Sequence, residues 1–265
     1  MPTVTLQFVM DPQVEPFVSA PESAGLFLDF DGTLSEIVDD PPAARPVEGV
    51  TELLAGLAQR LKLVSVVSGR SAHELLEWLG PDIEIWGLHG AERTAGGKVL
   101  VSEHALHFID SVQQARDEAR ATLTDDGIFV EDKGVMIGLH YRKAPDQDAA
   151  EEKIEKVAER LAQTFGLVRA SGKLVVELRP PVEFSKADVL RRRSRESALR
   201  AAAFIGDDVV DLPAFDALDE LAAEGLTTLR IAVSSAEAPH DLLQRADVVV
   251  EGPSGVVNWL RGLLG

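Results

Sequence analysis

Gly25-Leu26-Phe27-Leu28-Asp29-Phe30-Asp31-Gly32-Thr33-Leu34 carries the clearest strand-and-turn pattern of the chain. Residues 25–30 are a short, mostly apolar run ending in acids and Gly32, the pattern of a buried strand closed by a tight turn. Working outward, Val50, Leu53, Leu54, Leu57 and Leu61 recur at helical spacing, and Leu63–Val67 is a second buried strand closed by Ser68-Gly69-Arg70. A short helix follows over Ser71–Leu79 with Ser71 as its N-cap, then a strand over Glu84–Leu88. The same alternation returns at the other end of the chain. A helix runs from Lys186 to about Arg200, then come strand Ala203–Gly206, helix Pro213–Leu221, strand Thr228–Val233, helix Pro239–Gln244, strand Asp247–Val250 and helix Gly255–Leu264. Strands that alternate with helices in this way predict an α/β fold, a Rossmann-like core with a doubly wound parallel sheet.

The middle of the chain has another rhythm. His104–Leu123 reads as a helix, Ile128–Glu131 and Val135–Tyr141 as a hairpin around Asp132-Lys133-Gly134, Ala149–Phe165 as a second helix, and Leu167–Ala170 with Leu174–Leu178 as a second hairpin. That order predicts an α+β domain inserted into the α/β one. The expected division is an N-terminal arm over residues 1–24, a core over 25–103 and 181–265, and an inserted cap over 104–180. The arm reads as a short edge strand and a tether.

Composition narrows the function. Lys and Arg total 26 against 44 Asp and Glu, a formal charge of −18, which repels nucleic-acid phosphates and anionic lipid. The basic run Arg191-Arg192-Arg193 with Arg195 therefore reads as a helix face paired with carboxylates. No apolar stretch approaches the ~20 residues of a membrane-spanning helix, and the first twenty residues have no basic start or long apolar stretch. With no cysteine there is no disulfide, thiolate nucleophile or zinc finger, and the expected location is the cytoplasm. His104 and His107 share a helical face, but no third metal ligand lies near them in sequence.

Asp29 and Asp31, spaced i, i+2 past a strand end, can both face the crevice where ligands of such sheets sit. One carboxylate of such a pair can act as a nucleophile that takes up a phosphoryl group, and the other can carry a proton. The same spacing also suits turn acids that cap the next helix. Asp207, Asp208 and Asp211 follow another apolar run. Hard carboxylate oxygens without Cys or His suit Mg²⁺, although a capping role fits Asp208 or Asp211 equally well. Ser68-Gly69-Arg70 offers a hydroxyl, backbone N–H groups and the start of a helix, and Lys186 a point charge, all suited to phosphate.

Taken in order, D-x-D-G-T, S-G-R, Lys and G-D-D-x-x-D at successive strand ends resemble the four motifs of the haloacid dehalogenase (HAD) phosphohydrolase superfamily. The detail is similar to the trehalose-6-phosphate phosphatase family within it. It is carried by Leu28–Ile37, Val67–Ser71, Gly87-Leu88-His89-Gly90-Ala91-Glu92-Arg93, Glu131-Asp132-Lys133-Gly134, Leu139-His140-Tyr141-Arg142 and Val176-Glu177-Leu178-Arg179-Pro180. The resemblance implies a Mg²⁺-dependent hydrolysis of trehalose 6-phosphate through an aspartyl-phosphate. It gives Asp29 as nucleophile, Asp31 as general acid and base, and Ser68 and Lys186 as phosphate ligands. The metal would be held by Asp29, the Asp31 carbonyl and Asp207, with Asp211 in the same cluster. Gly69, Arg70, His89, Arg93, Glu131, Lys133, Arg142 and Glu177 would bind substrate, and His140 is either a packed residue or a ligand.

Three positions depart from the family pattern: Ala187 stands where Gly is usual, Val210 where Thr is, and Leu212 where Glu is, and Ile231–Ser235 lacks the expected glycines. These departures leave open a second phosphorylated disaccharide or sugar-like metabolite as substrate, and a sugar-phosphate-binding regulatory protein with weak turnover as a third reading. The expected partner is a small sugar phosphate, with no nucleic acid and no membrane, and the expected state is a monomer.

Overall fold

A computed structural model describes residues 12–38, 43–172 and 174–264. It divides into two compact units, one formed by the residues up to Leu100 together with those from Phe184 on, the other by Val101–Glu183.

The first unit is built on an eight-stranded sheet. In chain order its elements are α1 (Glu15–Ser19), β1 (Ala24–Leu28), α2 (Val50–Ala58), β2 (Leu63–Val67), α3 (Ala72–Leu79), β3 (Glu84–Gly87), β4 (Glu92–Ala95) and β5 (Lys98–Val101). After the insert, the numbering of which runs from α4 to α6 and β6 to β9 below, come α7 (Lys186–Glu196), β10 (Ala201–Gly206), α8 (Leu212–Ala223), β11 (Thr227–Ser234), α9 (His240–Arg245), β12 (Val248–Glu251) and α10 (Gly252–Leu264). The strand order is β12-β11-β10-β1-β2-β3-β4-β5, parallel from β12 to β3. The expected α/β class with a parallel sheet is borne out.

The central strands are buried at every position because both faces are covered. Leu26, Leu28, Val64, Val66, Ala203 and Ile205 pack with Leu54 and Leu57 of α2, Leu75 of α3 and Leu260 of α10. Phe27, Val67, Ala202 and Phe204 pack on the other face with Leu190 of α7 and Phe215 and Leu218 of α8.

One reading needs correction in this unit. β4 pairs antiparallel with β3, so one edge of the sheet departs from the parallel pattern. In the arm, the described residues hold α1, whose Phe17 joins the core with Val14 just before it; the expected edge strand falls on residues 1–11, outside the described residues. The basic run is paired as its charge balance suggested. Arg191 bonds Glu220, Arg193 bonds Glu84, Arg195 pairs with Glu224, and Arg192 lies 4.3 Å over the Trp86 ring.

The second unit contains α4 (Glu103–Leu106), α5 (Ile109–Thr122), β6 (Phe129–Asp132), β7 (Ile137–His140), α6 (Gln147–Phe165), β8 (Val168–Gly172) and β9 (Val175–Arg179). The helix expected over His104–Leu123 is thus two helices, α4 and α5. The strands form an antiparallel sheet in the order β6-β7-β9-β8. Alternation puts Val130, Ile137, Leu139, Val176 and Leu178 on one face, against Val112 and Ala115 of α5 and Ile154 and Leu161 of α6. The opposite face carries Phe129, Glu131, Gly138, His140, Val175 and Glu177, with Phe129 62% exposed. No helix among the described residues is long and apolar enough to cross a membrane.

Candidate active site

The residues at the carboxyl ends of β1, β2 and β10 come together in the first unit. Asp29 follows β1 directly, and its N–H donates to the Ile205 carbonyl on β10 (2.9 Å), which seats its side chain beside the end of that strand. Lys186, the first residue of α7, reaches both Asp29 Oδ1 and Asp211 Oδ1 at 2.6 Å with only 2% of its side chain exposed. Burial alone would lower the ammonium pKa, but Asp211 and Asp29 outweigh it and hold Lys186 above its ordinary range.

Asp211 is fully engaged. Its Oδ2 accepts the N–H groups of Asp207 (3.0 Å) and Asp208 (3.2 Å), while Asp208 caps the short turn Val209–Asp211. The capping alternative is therefore realised for Asp208 and Asp211, and Asp211 is also a partner of the buried lysine. Asp207 differs: its Oδ1 is buried and has no hydrogen-bond partner. Burial, then the neighbouring Asp211 carboxylate, push Asp207 up to about 7, and burial raises Asp29 well above the usual carboxylate range.

Asp29, Asp207 and Asp211 can place one carboxylate oxygen each within 4.8 Å of one another. The donor set is oxygen only, it carries more negative charge than Lys186 neutralises, and Asp207 Oδ1 lacks a partner. Gly32 makes room for it: its φ is +75°, and a Cβ there would lie 2.0 Å from Asp207 Oδ2. These features fit a hard metal ion.

Asp31 stands outside the buried cluster with 43% of its side chain exposed, and Arg70 grips it through Nε (2.8 and 3.0 Å) and Nη2 (2.8 Å). Arg70 also bonds Glu74 and lies over the Phe30 and Trp78 rings. Ser68 is buried and its Oγ accepts the Arg70 N–H (3.2 Å), which leaves its own hydroxyl proton to donate. Ser71 caps α3 as expected, accepting from Glu74 N–H. The first N–H of α3, from Ala72, is taken by Glu92 Oε2 (2.8 Å), so the start of this helix is less open to an anion than the sequence suggested. His89 lies beside Gly69, where a Cβ would meet its Nε2 at 3.0 Å. Arg93 is exposed on β4.

In the second unit Glu131, Lys133, His140 and Glu177 meet on the open sheet face. Lys133 Nζ is 2.7 Å from Glu177 Oε1 and 3.7 Å from Glu131 Oε2, and His140 Nε2 is 2.8 Å from Glu131 Oε2. The bond with His140, with Lys133 nearby, holds Glu131 below its ordinary pKa. Burial opposes the charge on Lys133, but Glu177 and Glu131 raise it. Gly138 lies between Glu131 and Glu177 in register, and a Cβ there would come within 2.9 Å of His140 Nε2. His140 is thus a member of the polar cluster and not a packed core residue. Arg142 lies half-buried two residues beyond β7.

The fold is shared with a haloacid dehalogenase-like hydrolase from Bacteroides thetaiotaomicron, at TM-score 0.62 and 14% identity over 90% of this chain and 98% of that one. A crystal structure of a trehalose-6-phosphate phosphatase related protein matches at TM-score 0.75 with 25% identity, covering 91% and 96% of the two chains. The sequence model of the trehalose-phosphatase family matches residues 27–248, and the chain belongs to that family. A protein of Mycobacterium avium described as a trehalose-phosphate phosphatase is 38% identical over 216 residues, 77% of this chain and 54% of that one. The chain spans about half the length of the curated relatives it matches.

Proposed function

We propose that the chain is a Mg²⁺-dependent phosphatase that hydrolyses trehalose 6-phosphate to trehalose and phosphate, a cytoplasmic monomer acting in trehalose biosynthesis. The observation that carries it is the strand-end cluster of Asp29, Lys186, Asp207 and Asp211, in which a buried lysine touches the first acid and a buried carboxylate oxygen has no partner. Family membership and the name of the M. avium relative support the substrate.

Asp29 attacks phosphorus, forming the bond from its carboxylate oxygen as the bond to the sugar oxygen breaks. Asp31, on leaving the Arg70 grip, carries a proton to the departing oxygen, then takes one from the water that releases phosphate and restores Asp29. Lys186 opposes the effect of burial on Asp29 and, with the Ser68 hydroxyl and the Gly69 amide, binds phosphoryl oxygens. Asp29, Asp207 and the Asp31 carbonyl would hold Mg²⁺, which when bound neutralises the crowded carboxylates and the phosphoryl charge. On the inserted unit, the carboxylates of Glu131 and Glu177 accept from sugar hydroxyls and Lys133 donates to them.

Val210 is 52% exposed beside the acid cluster, where the family pattern has a polar residue. It favours, as second reading, the same chemistry on a related sugar phosphate. Phosphate release from a panel of sugar phosphates, with and without Mg²⁺, decides between them. Fastest Mg²⁺-dependent turnover of trehalose 6-phosphate supports the first reading, a different best substrate the second, and no turnover of any ester defeats both.

A further inference from the structure

Outside the acid cluster, one carboxylate of the described core is buried. Glu92 is 8% exposed, and burial raises its pKa, against the effect of the hydrogen bond from Ala72 and the charge of His73. No step of the proposed reaction uses it.

Its surroundings explain why it is there. β3 ends at Gly87, which stands opposite Glu92 in the antiparallel register. Ala72 packs so closely on Gly87 that a Cβ would lie 2.2 Å from Ala72 N, and this approach brings the Ala72 N–H to Glu92 Oε2. The residues between Gly87 and Glu92 make an unusual turn. Leu88, His89 and Gly90 have φ of +49°, +59° and +117°, a left-handed run that strains its two non-glycine residues.

Two of the three carbonyls of the Ser68–Arg70 loop are tied to that turn. His89 N–H donates to the Ser68 carbonyl (2.9 Å) and Leu88 N–H to the Arg70 carbonyl (2.8 Å). A trans peptide carries its N–H opposite its C=O, so the same two bonds turn the Gly69 and Ser71 N–H groups away from the turn. The conformation of residues 68–72 is thus fixed at three points by residues 88–92.

We propose that Glu92 is a positioning residue: by holding the Ala72 N–H, and with it the left-handed turn against the Ser68–Ser71 loop, it aims that loop's donors at the phosphoryl group. The proposal rests on the phosphatase reading above. It acts at the phosphate and not at the sugar, so it affects every phosphate ester alike.

The test measures inhibition by inorganic phosphate, and kcat and KM for trehalose 6-phosphate and nitrophenyl phosphate, with Mg²⁺ present and well below the melting temperature. Glu92→Ala should weaken phosphate inhibition about tenfold and lower kcat/KM for both esters roughly 10- to 100-fold, the scale of a misplacement near 1 Å. Glu92→Gln keeps an acceptor oxygen and should restore both to within about threefold. Glu92→Asp withdraws the acceptor by one carbon and should fall between them; it decides the matter if Glu92→Ala does not fold. A lowered melting temperature with unchanged phosphate inhibition and kcat/KM would overturn the proposal, as would losses confined to the sugar substrate. If the wild-type chain hydrolyses no phosphate ester, the phosphatase reading has failed, a result distinct from either of these.

Discussion

The polar cluster at the end of β1 and the one on the open face of the β6-β7-β9-β8 sheet use nearly the same residue types to opposite effect. In the core, Asp29, Asp207 and Asp211 share one ammonium, Lys186, in a buried place where an oxygen of Asp207 lacks a partner. On the inserted sheet, Glu131 and Glu177 share Lys133, His140 supplies a further bond, and the side chains keep contact with solvent. Burial raises the acids Asp29 and Asp207, whereas hydrogen bonding lowers Glu131. The first cluster is short of positive charge and suits a cation and a phosphoryl group. The second is internally satisfied and suits a ligand with many weak hydrogen bonds, such as a polyol.

The sharpest way to break this contrast is at the nucleophile. Asp29→Asn should lower turnover of any phosphate ester about 10³-fold or more, because an amide cannot form the acyl-phosphate. Retained phosphate release would remove Asp29 from the role. Asp31→Asn should cost more with a sugar leaving group than with nitrophenolate, which needs no proton; equal losses would count against Asp31 as the acid.

Removing the cation comes next. EDTA should abolish turnover and Mg²⁺ restore it, and Asp207→Ala should shift the Mg²⁺ titration at least about tenfold. Activity in protein shown to be free of metal would contradict the reading of the core cluster.

The inserted cluster should respond more mildly and more selectively. Glu131→Ala, Lys133→Ala and Glu177→Ala should each lower kcat/KM for trehalose 6-phosphate by roughly 5- to 150-fold, the range of a lost buried hydrogen bond. Nitrophenyl phosphate hydrolysis should stay within about threefold of wild type. Equal responses of the two substrates, or none, would make these residues mere surface charges.

The smallest effect concerns stability. Asp207 is pushed up to about 7, so at this residue the metal-free folded chain holds a proton that the unfolded one loses near pH 4. Above about pH 5, where the salt-bridged carboxylates held low are ionised in both states, stability of the metal-free protein therefore falls as pH rises toward 7, by at least about 1 kcal/mol or roughly 2–4 °C in Tm. Excess Mg²⁺ or Asp207→Asn should flatten the slope. A melting temperature that rises over the same window would show that Asp207 does not carry its proton there.

Much of this was legible from residue order alone. Leu63–Val67 is the strand its apolar run announced, and Ser71 caps the helix it was expected to cap. Motif spacing likewise indicated that Asp29, Lys186 and Asp207 belong to one place, because all three mark ends of elements in a parallel sheet. What stayed hidden depends on pairing across the sheet. The edge strands β4 and β5 are short and half polar around Gly96-Gly97, so they lack a clear alternation. Glu92 looks like any surface acid until β3 and β4 pair and bring Ala72 to it. The grip of Arg70 on Asp31 joins residues 39 apart, which no local pattern records.

The register of β1 has a consequence for synthesis. Ala24–Leu28 lies between β2 and β10, paired with Leu63–Val66 on one side and with Ala201–Ile205, more than 170 residues later, on the other. As the chain leaves the ribosome, the second neighbour of this apolar strand does not exist until the whole inserted unit has been made. The insert, whose strands pair only among themselves, can fold in the meantime, while the growing core carries an unpaired Leu26-Phe27-Leu28 edge that invites aggregation. Asp29 likewise waits for Lys186, Asp207 and Asp211, so the strand-end cluster stays divided during synthesis and is complete only after Asp211 has emerged.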